Sequence, residues 1–158
     1  MSYNYQLDEL DKKILKYLVV DTRMAFTEIA KQLDVSAGTI HVRMKKLEDA
    51  GIVRGSSLTV DYDKLGYSFV AYVGILITKS NKTQGVLNKL MDIPNITVAS
   101  QISGKYNIFC KIRAKDTSDA KNVIYRIDEI DEVLRTESMI SLEESFNDKN
   151  RLLDIILK

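Results

Sequence analysis

The most usable chemistry in the chain sits between Ser36 and Lys46. Ile40, Met44 and Leu47 recur at i, i+4 and i+7, so a helix turning about 100° per residue gathers them on one side. Thr39, Val42, Arg43 and Lys46 then lie on outward or flanking arcs. The Arg43 guanidinium fork can bond both acceptors of a guanine edge, whereas Lys45 and Lys46 suit phosphates as point charges. Ser36 and Thr39 stand at the helix start, where hydroxyls and backbone donors can bond phosphate, and Ser36 is equally suited to capping alone. His41 is the only histidine. Without a partner His or paired Cys it does not point to a metal site, leaving a nucleic-acid contact or a surface packing role.

Elsewhere reactive side chains are sparse. Cys110 alternates with Ile108 and Ile112 and reads as a core thiol. The sequence offers no set of nucleophile, base and orienter, no phosphate-binding glycine loop and no metal cluster, so neither an enzyme nor a cofactor is expected.

The elements that must hold this chemistry fall into two blocks. Leu7, Leu10, Ile14, Leu15 and Leu18 predict a first helix over Leu7 to Val19, with Asp8 at its start. A shorter helix is expected with Thr27 as N-cap and Ile29, Ala30 and Leu33 on one face, broken at Asp34 and Val35. Ser36 caps the third helix and Gly51 can supply its left-handed end. Two helices so closely spaced, the second with a polar outer face, have the layout of a helix-turn-helix. The candidate DNA-binding set is Ser36, Ala37, Gly38, Thr39, His41, Val42, Arg43, Lys45 and Lys46. Residues 52–60 read as a short hairpin or wing, and Asp61 to Tyr67 as a linker.

From Phe69 the periodicity changes to strand, helix, strand, strand, helix, strand, the order of a ferredoxin-like fold. The strands are expected over Phe69 to Thr78, Thr97 to Ile102, Tyr106 to Arg113 and Val133 to Leu142, with helices over Lys82 to Met91 and Thr117 to Ile127. Both helices cover one sheet face, so a first strand apolar on both sides calls for a second cover, and self-association supplies it. The domains are therefore a winged helix-turn-helix over 1–60, a linker over 61–67 and a ferredoxin-like domain over 68–158. Within the last, the apolar run Leu152 to Leu157 is a strand or helix used at an interface.

Net charge is +1, from 23 Lys and Arg against 22 Asp and Glu, so affinity for nucleic acid must come from a local patch. The longest apolar stretch, Phe69 to Ile77, falls far short of the roughly 20 residues of a membrane helix. No signal peptide is evident and a single cysteine cannot form an intrachain disulfide, so a reducing cytoplasm is expected.

Several stretches stand out in order along the chain: Leu10-Asp11 with Ile14-Leu15, Phe26 to Ala30, Val35 to Arg43 through Leu47, Gly51 to Val53, Lys64 to Tyr67, Gly104 to Asn107, and Thr136 to Ser138. Together they resemble the Lrp/AsnC family of feast/famine regulators, above all its asparagine-responsive branch. The resemblance implies a winged helix-turn-helix on a ferredoxin-like ligand and assembly domain, dimers that commonly build octamers, and amino-acid effectors bound between subunits. It directs the effector to Gln101, Ser103, Gly104, Tyr106, Asn107, Asp128, Thr136 and Ser138, with asparagine the first candidate. Gly104 lets backbone donors approach a carboxylate, Gln101 and Asn107 offer donors and acceptors, and Asp128 can accept an ammonium group. Many members carry acidic residues in this loop, where this chain has Lys105 and Asn107. Two simpler readings stand beside this one: a plain hairpin turn with polar flanks, and an architectural DNA-binding protein that bends or wraps DNA without a ligand.

Overall fold

A computed structural model describes residues 5–158. The chain divides into two compact units, one formed by the described residues up to Thr59 together with Phe146–Lys158, the other by Val60–Ser145.

The first unit contains α1 (Glu9–Val20), α2 (Phe26–Leu33) and α3 (Ala37–Asp49). Asp8 begins α1 with a reciprocal capping box, its carboxylate accepting from the Asp11 N–H while Asp11 accepts from the Asp8 N–H. Ala25, not Thr27, occupies the N-cap of α2, and no side chain caps it; the helix starts two residues earlier than expected because Phe26 packs against the unit's apolar cluster. Asp34 takes the left-handed conformation at φ 53°, which turns the chain between α2 and α3. Ile14, Leu15, Ile29, Ala30, Ile40, Met44 and Leu47 form the buried core.

Residues 53–60 form no strand, so the expected wing is not built within this chain. Gly55, Ser56 and Ser57 break the apolar alternation, and Leu58 is left 77% exposed with no strand beside it. The final segment also departs from expectation. It belongs to the helical unit rather than to the sheet domain, as a short α6 (Leu153–Ile156) followed by Leu157, which is buried in the same core as α1 to α3.

The second unit is a four-stranded antiparallel sheet in the order β2-β3-β1-β4. Its strands are β1 (Phe69–Ile77), β2 (Ile96–Gln101), β3 (Ile108–Ala114) and β4 (Val133–Ile140). Helices α4 (Thr83–Met91) and α5 (Thr117–Asp128) cover one face, where Val86, Leu90, Val123 and Ile127 meet Val73, Ile75, Ile108, Cys110 and Ile112. This is the ferredoxin-like arrangement. Tyr106 and Asn107, expected inside a strand, lie in the loop before β3.

Candidate functional site

α3 is capped by Ser36, whose Oγ accepts from the Thr39 N–H at 3.0 Å and lies 2.9 Å from the Thr39 hydroxyl. Ile40, Met44 and Leu47 are buried, and Ala37 packs on the same cluster. On the opposite arc Gly38, Lys45 and Lys46 are exposed and Val42 is 56% exposed. No acidic residue stands in the first turn, so the positive end of the helix dipole is unopposed there. The His41 ring meets Phe26 edge-on, with centroids 4.7 Å apart, which orients its imidazole against the start of α2.

Arg43 departs from the expected outward reader. Its Nη1 bonds the carboxylate of Asp8 and lies 3.3 Å from Asp11 Oδ1. Asp11 is only 1% exposed, and its other oxygen accepts from the Tyr5 hydroxyl at 3.0 Å and the Asp8 N–H at 3.2 Å. Arg43 thus braces α3 against the start of α1, with its charge matched by carboxylates. The Asp11 backbone N–H, and after it Arg43, hold the Asp8 carboxyl below its ordinary range. Asp8 was legible only as a cap. The missed signal was the Asp-x-x-Asp spacing, which places two carboxylates together at one helix start.

In the sheet unit, Gly104 sits at φ +120°, a conformation that favours glycine. Ser103 and Gly104 are exposed at the turn. Asn107 is more committed than expected: its Oδ1 accepts from the Ile77 N–H and its own N–H donates to the Ile75 carbonyl, both at 3.0 Å. It stitches the loop to the end of β1, so that oxygen is not aimed at a ligand. The Tyr106 ring lies on Gly74, where a Cβ would come within 2.7 Å of the ring atoms. Lys105 pairs with Glu137 at 2.6 Å, with its ammonium 5.0 Å from the Tyr106 centroid. Hydrogen bonding from Lys105, then Tyr106, lowers the Glu137 carboxyl below its usual value.

Asp128 accepts from the Thr136 hydroxyl at 2.9 Å, and Ser138 is exposed two residues along β4. Gln101, Ile108, Ile75 and Thr136 form one register row across the sheet. Three strand steps of roughly 4.8 Å put Gln101 about 14 Å from Thr136. The eight expected effector residues therefore form three groups in one protomer: Gln101 on one edge strand, the loop from Ser103 to Asn107, and Asp128 with Thr136 and Ser138 at the other edge.

The sheet face away from the helices is partly covered by its own chain. Tyr72 stacks on Phe109 at 5.9 Å, and Lys111, 8% exposed, pairs with Glu144. Arg113 bonds Asp63 at 3.0 Å and the Tyr67 carbonyl at 3.2 Å, and lies 3.7 Å from Glu144. Gly74, Lys111 and Arg113 were not singled out in the sequence, and Glu137 entered only through the family resemblance. A glycine inside an apolar strand signals close approach of another group, here a tyrosine ring. Among the described residues, no cluster of His, Cys, Asp and Glu could hold a metal, and no helix is long and apolar enough to cross a membrane.

Residues 7–48 match the AsnC-type helix-turn-helix domain, and residues 70–150 match the Lrp/AsnC ligand binding domain. The chain is 38% identical over 141 residues to the regulatory protein AsnC of Escherichia coli K12, covering 89% of this chain and 93% of that protein. The corresponding regulatory protein of Haemophilus influenzae is 35% identical over 140 residues, covering 88% and 93%. The solved structure of E. coli AsnC shares the fold with a TM-score of 0.86 at 35% identity, over 91% of this chain and 97% of that one. A transcriptional regulator of Neisseria meningitidis, solved as a complex with L-Met, has the same fold at 20% identity, with a TM-score of 0.83 over 91% and 95%. The chain belongs to the Lrp/AsnC family of transcription regulators, an AsnC-type helix-turn-helix domain followed by a Lrp/AsnC ligand-binding domain.

Proposed function

We propose that the chain binds specific operator DNA through α3 and that a small amino acid, held by the sheet unit, alters its DNA affinity or assembly. The observation that carries the DNA reading is the outward arc of α3, a capped helix start followed by exposed Gly38, Val42, Lys45 and Lys46. Ser36, Ala37, Gly38, Thr39, His41, Val42, Lys45 and Lys46 approach the groove or its phosphates, while Arg43 keeps the helix at its angle.

For the effector, the amides around Gly104 meet the carboxylate and Asp128 the ammonium group. The separation of Gln101 from Thr136 favours a pocket completed by a second subunit, because neither edge reaches the other alone. Asparagine is the first candidate, and L-methionine, the ligand of the Neisseria relative, is the first competitor. The protein acts as a homo-oligomer, a dimer or an octamer built of four dimers, in the cytoplasm and without catalysis. Exposed Val98, Met139, Ile140 and Leu142 on the sheet unit support self-association.

Fluorescence anisotropy of an operator duplex selected in vitro, repeated with each of the twenty amino acids at millimolar concentration, tests this. A sequence-selected duplex should bind with an affinity that one amino acid shifts, since a ligand preferring one state moves the equilibrium between states. The pairing of Arg43 with Asp8 and Asp11 favours a second reading, an architectural protein held mainly by phosphate contacts. Steeply salt-dependent binding with little sequence preference and no response to any amino acid would establish that alternative.

A further inference from the structure

α6 and Leu157 lie beyond the stretches that match the two family domains, yet they join the described helices up to Thr59 in one unit. Leu157 is 4% exposed within the cluster of Ile14, Leu15, Ile40, Met44 and Leu47, and Leu153 packs against that cluster. Leu152 and Ile155, on the same short segment, are 63% and 67% exposed. The segment therefore presents one face inward and leaves the rest to water, as a docked element does. Before the arm begins, Glu144 is fixed against Lys111 and Arg113, so the chain leaves the sheet unit from an anchored point.

We infer that the C-terminal arm, through Leu153 and Leu157, is a positioning element of the DNA-reading head, closing the core on which α3 rests. A three-helix head has little interior, and small domains bury too small a share of their surface to tolerate loss of a core side chain. Ile40, Met44 and Leu47 set the outward angle of α3, and Leu157 shares their core. Removing it loosens the seat of the recognition helix without touching a DNA-facing residue. The head is also joined covalently to the sheet unit twice, through the segment after α3 and through the arm.

This inference rests on the operator-binding reading, and its test separates the two. Hydrogen exchange and operator anisotropy are measured on the full chain carrying Leu157→Ala, with Ile155→Ala as the exposed control. Leu157→Ala should speed exchange of the α1 to α3 amides at least about tenfold and weaken DNA binding, leaving the sheet unit's amides protected, while Ile155→Ala changes neither. If the head loses all protection while the sheet unit keeps its own, the inference stands, and Leu157→Val should then give the intermediate rate. Parent-like exchange in Leu157→Ala overturns the inference, as does equal loss of protection in both units with the Ala and Val variants. A parent that binds no duplex defeats the operator reading alone, since the exchange measurement still decides whether the arm closes the head.

Discussion

Replacing Arg43 with methionine keeps the aliphatic stem and removes the guanidinium. Asp11 then remains a carboxylate with 1% of its side chain exposed and its cationic partner gone. Breaking a fully buried ion pair from one side costs about 3 to 5 kcal/mol. Two features of this site lower that figure. The Arg43 side chain is 28% exposed and Asp8 49% exposed, so the Asp8 contact is worth no more than about 1 kcal/mol. Asp11 also keeps the Tyr5 hydroxyl and the Asp8 N–H as donors. The net expectation is about 2 kcal/mol. For a unit of this size each kcal/mol moves the midpoint by roughly 4 to 8 °C, so the helical unit should melt on the order of 10 °C lower. Circular dichroism and hydrogen exchange of α1 to α3 give the readout, with DNA affinity measured at a temperature where the variant stays folded. Asp11→Asn should lower the same transition, and the double variant should cost less than the sum of the two single changes. If Arg43→Met melts with the parent yet loses specific operator binding while retaining non-specific binding, Arg43 is a base reader and the bracing role is wrong.

Other consequences are testable in the same preparations. Asp8 is held below its ordinary value in the folded chain, so its contribution is present above the unfolded pKa and lost as pH falls through the folded one. The helical unit should weaken on acidification below about pH 4, and Asp8→Asn, which keeps the cap acceptor, should flatten that dependence in a pH series of melts. Burial pushes the Cys110 thiol up to about 12, so iodoacetamide at pH 8 should label it only in denaturant. Gly74→Ala would force the Tyr106 ring off β1, costing about 1 to 3 kcal/mol or displacing the 103–107 loop, with weaker amino-acid binding by calorimetry. Lys46→Ala should weaken specific and random duplexes alike and flatten the salt dependence, whereas an effect confined to one sequence would make Lys46 a base contact.

The sequence was most legible where one period dominates. Ile40, Met44 and Leu47 located the buried side of α3, and alternation of Ile108, Cys110 and Ile112 located the helix-covered face of β3. Long-range pairings were less accessible. Arg43 meets Asp8 and Asp11 across more than thirty positions, and no local pattern distinguishes a guanidinium facing a carboxylate from one facing solvent. The wing failed for a related reason: apolar alternation marks strand-forming capacity, but a strand also needs a neighbour, and residues 53–60 have none among the described residues. Asn107 shows the reverse case. Its amide was expected to face an effector, but its Oδ1 accepts from the Ile77 N–H. The apolar run from Leu152 carried no indication of which unit it joins, because burial of Leu157 depends on a core made by residues far earlier in the chain.

That distance also governs the order in which the protein can assemble. Roughly a hundred positions separate Leu47 from Leu157 in one core, with the whole sheet unit between them. Closing so long a loop costs little more than closing a moderate one, but it cannot occur until the later residue has been synthesised. At about 5 to 20 residues per second, α1 to α3 leave the ribosome several seconds before Leu157 does. β4 ends seventeen positions before Leu157, so every strand of the sheet unit is synthesised before the last core residue of the head. The core of the head is therefore the last part of a newly made molecule to receive all its residues, after those of the sheet unit.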